Sequence, residues 1–228
     1  MIEPEPQTLA VRVWDVPVRI VHWAMVVLLI TSVVSAKMGG GAMDWHVRSG
    51  EAMLVVVLFR ILWGFFGSPH ARFANFVRGP GAVIAYARSL LRPSHAEFVG
   101  HNPLGGWMVI LLLLALLVQA SLGLFSNDDI ATDGPLVRYI SKDLSDTISS
   151  FHKRNAWVVV TLATVHIGAA LFYLIRFREN LITPMMIHGV KRVPLVNAGA
   201  SHGAASMGRA LALFALCAFA VWLVVTRR

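Results

Sequence analysis

The chain has 228 residues, 57% of them hydrophobic, and a mean hydropathy of +0.67, too apolar for an ordinary soluble domain and long enough for four or five membrane crossings. Its one cysteine, Cys217, lies in a late apolar run, which excludes disulfides, iron–sulfur clusters and covalent heme attachment through C-x-x-C-H. The net charge of +8 is spread over short loops between apolar runs, where Lys and Arg set topology and meet lipid headgroups, so nucleic-acid binding is excluded.

Apolar windows run from Val18 to Ala36, Ala52 to Phe66, Leu104 to Phe125, Ala156 to Ile175 and Ala210 to Val225. They are rich in Leu, Val and Ala without strict alternation, so each predicts a transmembrane helix. Pro17 fits the first turn of the first helix, where its missing N–H costs nothing, and Gly39-Gly40-Gly41 turns the chain after it. No cleavable leader is expected, since the first apolar run leads directly into a second. The second window is short and carries Glu51 and Arg60, so part of its surface faces protein, cofactor or water. The side holding the N-terminus, residues 66 to 103 and residues 176 to 209 has eleven Lys and Arg, against eight on the other. This places the N-terminus in the cytoplasm and the segment 126 to 154 outside. The expected fold is all-α: an integral membrane four-helix bundle over residues 1–180, a basic cytoplasmic linker over 181–208, and an additional transmembrane helix over 209–228.

Four histidines stand where such a bundle would hold iron. His152 and His166 occupy the fourth apolar segment, and their 14-residue spacing leaves them about 40° apart around a helix and roughly 21 Å apart along it. Helix directions then pair His22 with His166 in the cytoplasmic half and His46 with His152 in the outer half. Each pair comes from two helices and offers imidazoles to opposite faces of a porphyrin, a six-coordinate b-type arrangement that carries electrons and leaves no open site for bond chemistry. The levels of His22 and His166 agree only if the first helix begins near Pro17 and the fourth ends closer to the surface than Arg176.

Arg60 follows His46 by 14 positions, which puts a guanidinium one heme level deeper, where it can pair with a propionate. His101, at the start of the third helix, is a candidate for a propionate or a quinone headgroup, and Arg19 and Asn102 are the other quinone candidates. His70 and His95 read as surface residues, and His188 and His202 as solvated linker residues. Gly50, Gly64, Gly105, Gly106, Gly123 and Gly168 admit close approach of helices or of a porphyrin. Trp14, Trp23, Trp45, Trp63, Trp107 and Trp157 fall mostly at span ends, as an interfacial belt predicts. Asp128, Asp129, Asp133, Asp143 and Asp146 crowd the outer loop, where they would steer a basic partner.

Several blocks resemble one family. Arg19-Ile20-Val21-His22-Trp23 is similar to the R-x-x-H-W signature of the bacterial cytochrome b561 family and of the cytochrome b subunits of nickel–iron hydrogenases. Arg60 with Trp63-Gly64-Phe65, Ala71-Arg72-Phe73, His101-Asn102-Pro103-Leu104-Gly105, His152 and His166 follow in the same order, so the resemblance covers roughly residues 12 to 180. It implies a four-helix core with two noncovalent hemes b at the positions the spacing selects. It further implies an inner-membrane, respiratory-chain cytochrome exchanging electrons between the quinone pool and a periplasmic redox partner. Length and the acidic loop favour a c-type cytochrome as partner over a nickel–iron hydrogenase. The fifth helix lies outside the family's minimal core. A heme-free transporter using His22 and His166, or a structural anchor, are the competing classes; a transporter is disfavoured because the chain lacks paired halves of interrupted helices.

Overall fold

The computed structural model describes residues 8–91, 98–194 and 206–226. Five of its helices are long and apolar enough to cross a membrane: α1 (Val16–Met38), α2 (Met43–Phe66), α5 (Pro103–Gly123), α6 (Lys142–Arg176) and α7 (Met207–Val225). Two short helices, α3 (Phe73–Phe76) and α4 (Pro80–Ser89), lie in the connection between α2 and α5. His95, His202 and residues 195–205 of the basic linker lie outside the described residues.

Local chemistry sets the helix starts. Asp15 caps α1 by accepting from the Val18 N–H at 2.7 Å, with Pro17 in the first turn. Asn102 caps α5 through the Gly105 N–H, again with a proline next, and Ser141 caps α6. Gly39, at φ +65°, ends α1 in a conformation that side chains avoid.

Two helices are longer than their apolar windows. α2 starts nine residues before Ala52, because Asp44, Arg48 and Glu51 can face a polar cleft while the opposite face packs. α6 starts 14 residues before Ala156, so half of the expected outer loop is helix. Ser145 and Ser149 in this extension are buried against Asn127, whose Nδ2 donates to Ser145 Oγ at 2.6 Å and whose N–H donates to Ser149 Oγ at 2.9 Å.

α2 is the central element, packed by α1, α5 and α7. Half of its span is buried, against 11% for α6. Val18, Val21, Phe59, Trp63, Ala210 and Cys217 join α1, α2 and α7, while Met53, Val57, Leu113, Leu116 and Val159 join α2, α5 and α6. Trp63 is 1% exposed and donates its indole N–H to Asp15 Oδ2 at 2.9 Å, so it belongs to the core and not to an interfacial belt; Trp45 and Trp157 are exposed.

The linker is not wholly irregular. After a helical turn at Pro184–His188, strand β2 (Val190–Pro194) pairs antiparallel with strand β1 (Thr8–Arg12), in the register Thr8 to Pro194 and Arg12 to Val190. The Gly189 carbonyl accepts from both Val13 and Trp14 N–H. This ribbon marks one end of the bundle, here termed the ribbon side; the loop 124–141 marks the far side. Near the ribbon, Lys191 pairs with Glu179, both largely buried, and also donates to the Phe98 carbonyl. The hydroxyls of Tyr86 on α4 and Tyr173 on α6 meet at 3.0 Å in a buried contact.

Candidate heme-binding site

α6 lies along α5, and no extended helix contact joins it to α1 or α2. Four histidines face one another across that gap. The His22 and His166 ring centres stand 6.3 Å apart on the ribbon side, and those of His46 and His152 stand 6.0 Å apart on the far side. Metal–imidazole bonds of about 2.0–2.1 Å, with roughly 1.1 Å more from nitrogen to ring centre, put two imidazoles on opposite faces of one iron about 6.3 Å apart. The residues therefore fit a porphyrin iron in both places. Gly50, one turn beyond His46, faces open space, with nothing within 4 Å of a Cβ built there. Gly123 makes room for His152, whose Cε1 would lie 3.2 Å from such a Cβ. Gly64 and Gly106 serve packing instead, the first against the Phe73 ring and the second against the Phe76 backbone.

The two pairs are held differently. On the far side, His46 Nδ1 lies 2.9 Å from the Ser32 carbonyl and His152 Nδ1 lies 3.0 Å from the Gln119 carbonyl. A carbonyl only accepts, so both Nδ1 atoms carry the proton and both Nε2 atoms are acceptors, that of His152 engaged by the Gln119 amide, which a metal there would displace. The hydroxyls of Ser32 and Ser49 meet at 2.7 Å, and Ser49 donates to the His46 carbonyl, locking α1 to α2 at this level. The Gln119 amide lies 3.1 Å from His152 Nε2, and Asn155 Nδ2 donates to Gln119 Oε1 at 2.8 Å and to the Ala115 carbonyl at 3.0 Å. Sequence reasoning missed Gln119, Asn155 and Ser49. A glutamine inside an apolar span was the available signal.

On the ribbon side, His22 Nδ1 is buried without a hydrogen-bond partner. Arg60, 4% exposed, reaches the Ala71 carbonyl at 3.5 Å and stands over the Phe73 ring at 5.5 Å, so it does not snorkel to headgroups. Asp15, 7% exposed, offsets part of its charge. The His101 ring sits between Trp14 and Phe76, with centres 4.6 and 4.3 Å away, and its Nδ1 is buried without a hydrogen bond. Burial first, then the neighbouring Arg60, His166 and His70, push His101 down to about 3, so it is neutral at physiological pH. His188 is exposed at the end of its helical turn. Among the described residues no group of three or more His, Cys, Asp or Glu is placed to hold a metal ion.

The acidic loop spends much of its charge internally. Asp128 Oδ1 accepts from the Ile130, Ala131 and Thr132 N–H groups, and these bonds, that of Thr132 foremost, hold its carboxyl down at about 2. Asp129 and Asp146 both pair with Lys142. Between this loop and the start of α2 opens a cleft of about 520 Å³, lined by Asp44, Arg48, Glu51, Asp133 and Arg138 among others.

The sequence model of the family described as prokaryotic cytochrome b561 matches residues 13–189, which takes in all four histidines, Arg60 and His101. The chain belongs to the prokaryotic cytochrome b561 family. Three similar proteins are each named a probable Ni/Fe-hydrogenase B-type cytochrome subunit. That of Bradyrhizobium diazoefficiens is 26% identical over 207 residues, covering 77% of this chain and 84% of the relative. Those of Rhizobium leguminosarum bv. viciae and Azotobacter vinelandii are 25% and 26% identical over 210 residues, each covering 78% of this chain and 87% of the relative. No solved structure matches. As a cytochrome b561 family member the protein is a multi-pass membrane cytochrome that binds heme b and transfers electrons, which leaves no place for a heme-free transporter. α7 lies beyond the family match.

Proposed function

We propose that this cytochrome carries two hemes b, one between His22 and His166 and one between His46 and His152, and passes electrons across the bacterial inner membrane. The observation that carries this reading is the pair of ring separations, 6.3 and 6.0 Å, at two depths of one helix. When bound, the hemes supply one-electron redox chemistry. The chain's residues do the rest: the four imidazoles would hold the two irons and exclude other ligands, the Ser32 and Gln119 carbonyls orient two of those rings, and Arg60 would offer its charge to a propionate on the ribbon side. We place the ribbon side in the cytoplasm, following the Lys and Arg bias.

The partner on the far side is a nickel–iron hydrogenase in this reading. The relatives' names favour it, and the internal pairing of Asp128, Asp129 and Asp146 removes much of the field that favoured a c-type cytochrome. The electron carrier on the ribbon side is a quinone from the membrane pool. His101 is the favoured contact for its headgroup, because the Asn102 side-chain oxygen is already engaged as a helix cap.

The test is a dithionite-reduced minus oxidised spectrum with a heme count on the purified protein. Two low-spin b hemes per chain are expected. A chain without a low-spin b signal, or with a heme count that no histidine substitution alters, overturns the reading.

A further inference from the structure

Two of the chain's three tyrosines meet inside the ribbon end of the bundle, apart from the four candidate histidines. Tyr173 continues the stripe of α6 that carries His152, Val159 and His166. Seven positions past His166, it lies about 20° away around the helix and about 10.5 Å nearer the ribbon. Tyr86 on α4 covers it: the hydroxyls are 3.0 Å apart, and each residue is 6% exposed. The Asn102 side chain, whose Oδ1 accepts from the Gly105 N–H at 2.7 Å, hydrogen-bonds both hydroxyls, and its Nδ2 carries the donors for them. Asn102 directly follows His101, the residue placed against the quinone headgroup. Glu179 stands on the other side of the pair. Its N–H donates to the Tyr173 carbonyl at 3.2 Å, and its charge acts on both phenols. Lys191 of β2 pairs with that carboxylate and donates to the Phe98 carbonyl, while the Phe98 ring packs edge-on against Tyr86 at 5.3 Å. Arg88, Arg176 and Arg178, close by in the chain, are exposed, and Arg60, His70 and His166 act on His101. Burial foremost holds the Tyr86 phenol above its ordinary value, so it keeps its proton.

Two phenylalanines would join α4 to α6 through the same rings without burying polar atoms. A phenol differs in one respect: it accepts one hydrogen bond and donates another. Two phenols in contact therefore pass a proton from end to end by turning their O–H bonds, and neither becomes charged. Resting on the ribbon-side quinone reading above, we propose that Tyr86 and Tyr173 form a proton relay between the Glu179–Lys191 pair and the quinone headgroup beside His101. Asn102 is the positioning residue that aligns the two hydroxyls. Reduction of one quinone consumes two electrons, delivered one at a time from ferrous iron on the ribbon side that becomes ferric, and two protons. Each proton that leaves the inner hydroxyl is replaced from water through Glu179, and two O–H bonds form on the headgroup. Quinol oxidation runs the same path backwards.

The experiment mixes the reduced full-length holoprotein, freed of reductant, with menadione, and the oxidised holoprotein with menadiol. The b-heme absorbance is followed in H2O and D2O at several pH values, with heme content and equilibrium binding of menadione measured alongside. Tyr86→Phe and Tyr173→Phe keep the rings and remove the hydroxyls. Each should slow heme oxidation by menadione at least about tenfold while leaving heme content and menadione affinity unchanged. Proton supply then limits the rate, so in these variants it should fall as pH rises and be lower in D2O. Glu179→Gln should act in the same direction, and Glu179→Asp should restore most of the rate. Tyr139→Phe, at the exposed third tyrosine on the far side, should change nothing. Phenylalanine variants that match the wild type in rate and pH profile overturn the proposal. So do variants slowed equally in both solvents and at every pH, or slowed only in step with lost heme or menadione affinity, since those mark a packing role. Where Tyr86→Phe fails to fold, Tyr173→Phe and Glu179→Gln decide by the same readings. A wild type that exchanges electrons with neither menadione nor menadiol instead overturns the quinone reading, so the two failures are told apart.

Discussion

One carboxylate, Asp15, holds the start of α1 with Oδ1 and the indole of Trp63 on α2 with Oδ2, at 2.7 and 2.9 Å. The level of His22 on α1 is thereby referenced to α2 by a buried bond only seven positions away. Asp15→Ala removes a helix cap, worth about 0.5–2 kcal/mol, and orphans a buried N–H, at about 1–3 kcal/mol. Chemical unfolding in detergent should show a loss of about 2–4 kcal/mol, and Asp15→Asn, which keeps an acceptor for the cap, should lose less.

Heme retention should follow the ring pairs. His46→Ala and His152→Ala are expected to lose the same heme, and His22→Ala and His166→Ala the other, each variant keeping about half of the absorbance. Pyridine hemochrome quantification together with the reduced spectrum checks this. Loss of one identical heme from all four variants would falsify the pairing.

Acid should destabilise the ribbon side through His101. Its folded value, about 3, is depressed below its ordinary 6.5, so the unfolded chain binds the extra proton first as pH falls. The stabilisation from keeping this ring neutral is complete above pH about 6.5 and is lost progressively toward pH about 3. Thermal midpoints measured from pH 7.5 down to 4 should fall more steeply in the wild type than in His101→Gln, which has no proton to gain.

Gly189 should tolerate no side chain. At φ +67°, a Cβ there would lie 2.1 Å from the Trp14 carbonyl oxygen, in the backbone the ribbon clasps. The left-handed conformation costs roughly 1–2 kcal/mol for a residue with a Cβ, and the overlap about 1–3 kcal/mol more. Gly189→Ala is expected to raise hydrogen exchange of residues 8–14 and 190–194 while leaving α5 and the middle of α6 protected.

The pairing of the four candidate histidines was legible in the sequence, because helix geometry turns a 14-residue spacing into a direction and a depth, and the structure brings together the same two pairs. What orients those residues was not. The acceptors for His46 and His152 are main-chain carbonyls, which leave no trace in residue identity, and finding them requires knowing which turn of α1 or α5 lies opposite. The β1–β2 ribbon was missed for a related reason: Thr8 and Pro194 are separated by nearly the whole chain, and five-residue strands have too short a pattern to announce a partner. The extension of α6 was misread as loop because Lys142 to Arg154 is polar, although Ser141 followed by Asp143 is a helix-start signal. The apolar-window method finds what lipid requires, and those turns extend past the apolar stretch.

α6 is one unbroken helix of 35 residues, about 52 Å long against a hydrocarbon thickness of about 30 Å. The two rings it would offer to iron in the two-heme reading, His152 and His166, are rungs on a single hydrogen-bonded ladder. Their spacing works as a ruler: a docking partner can tip the rod, yet it cannot lengthen the electron's jump without unzipping backbone bonds in the middle of the membrane.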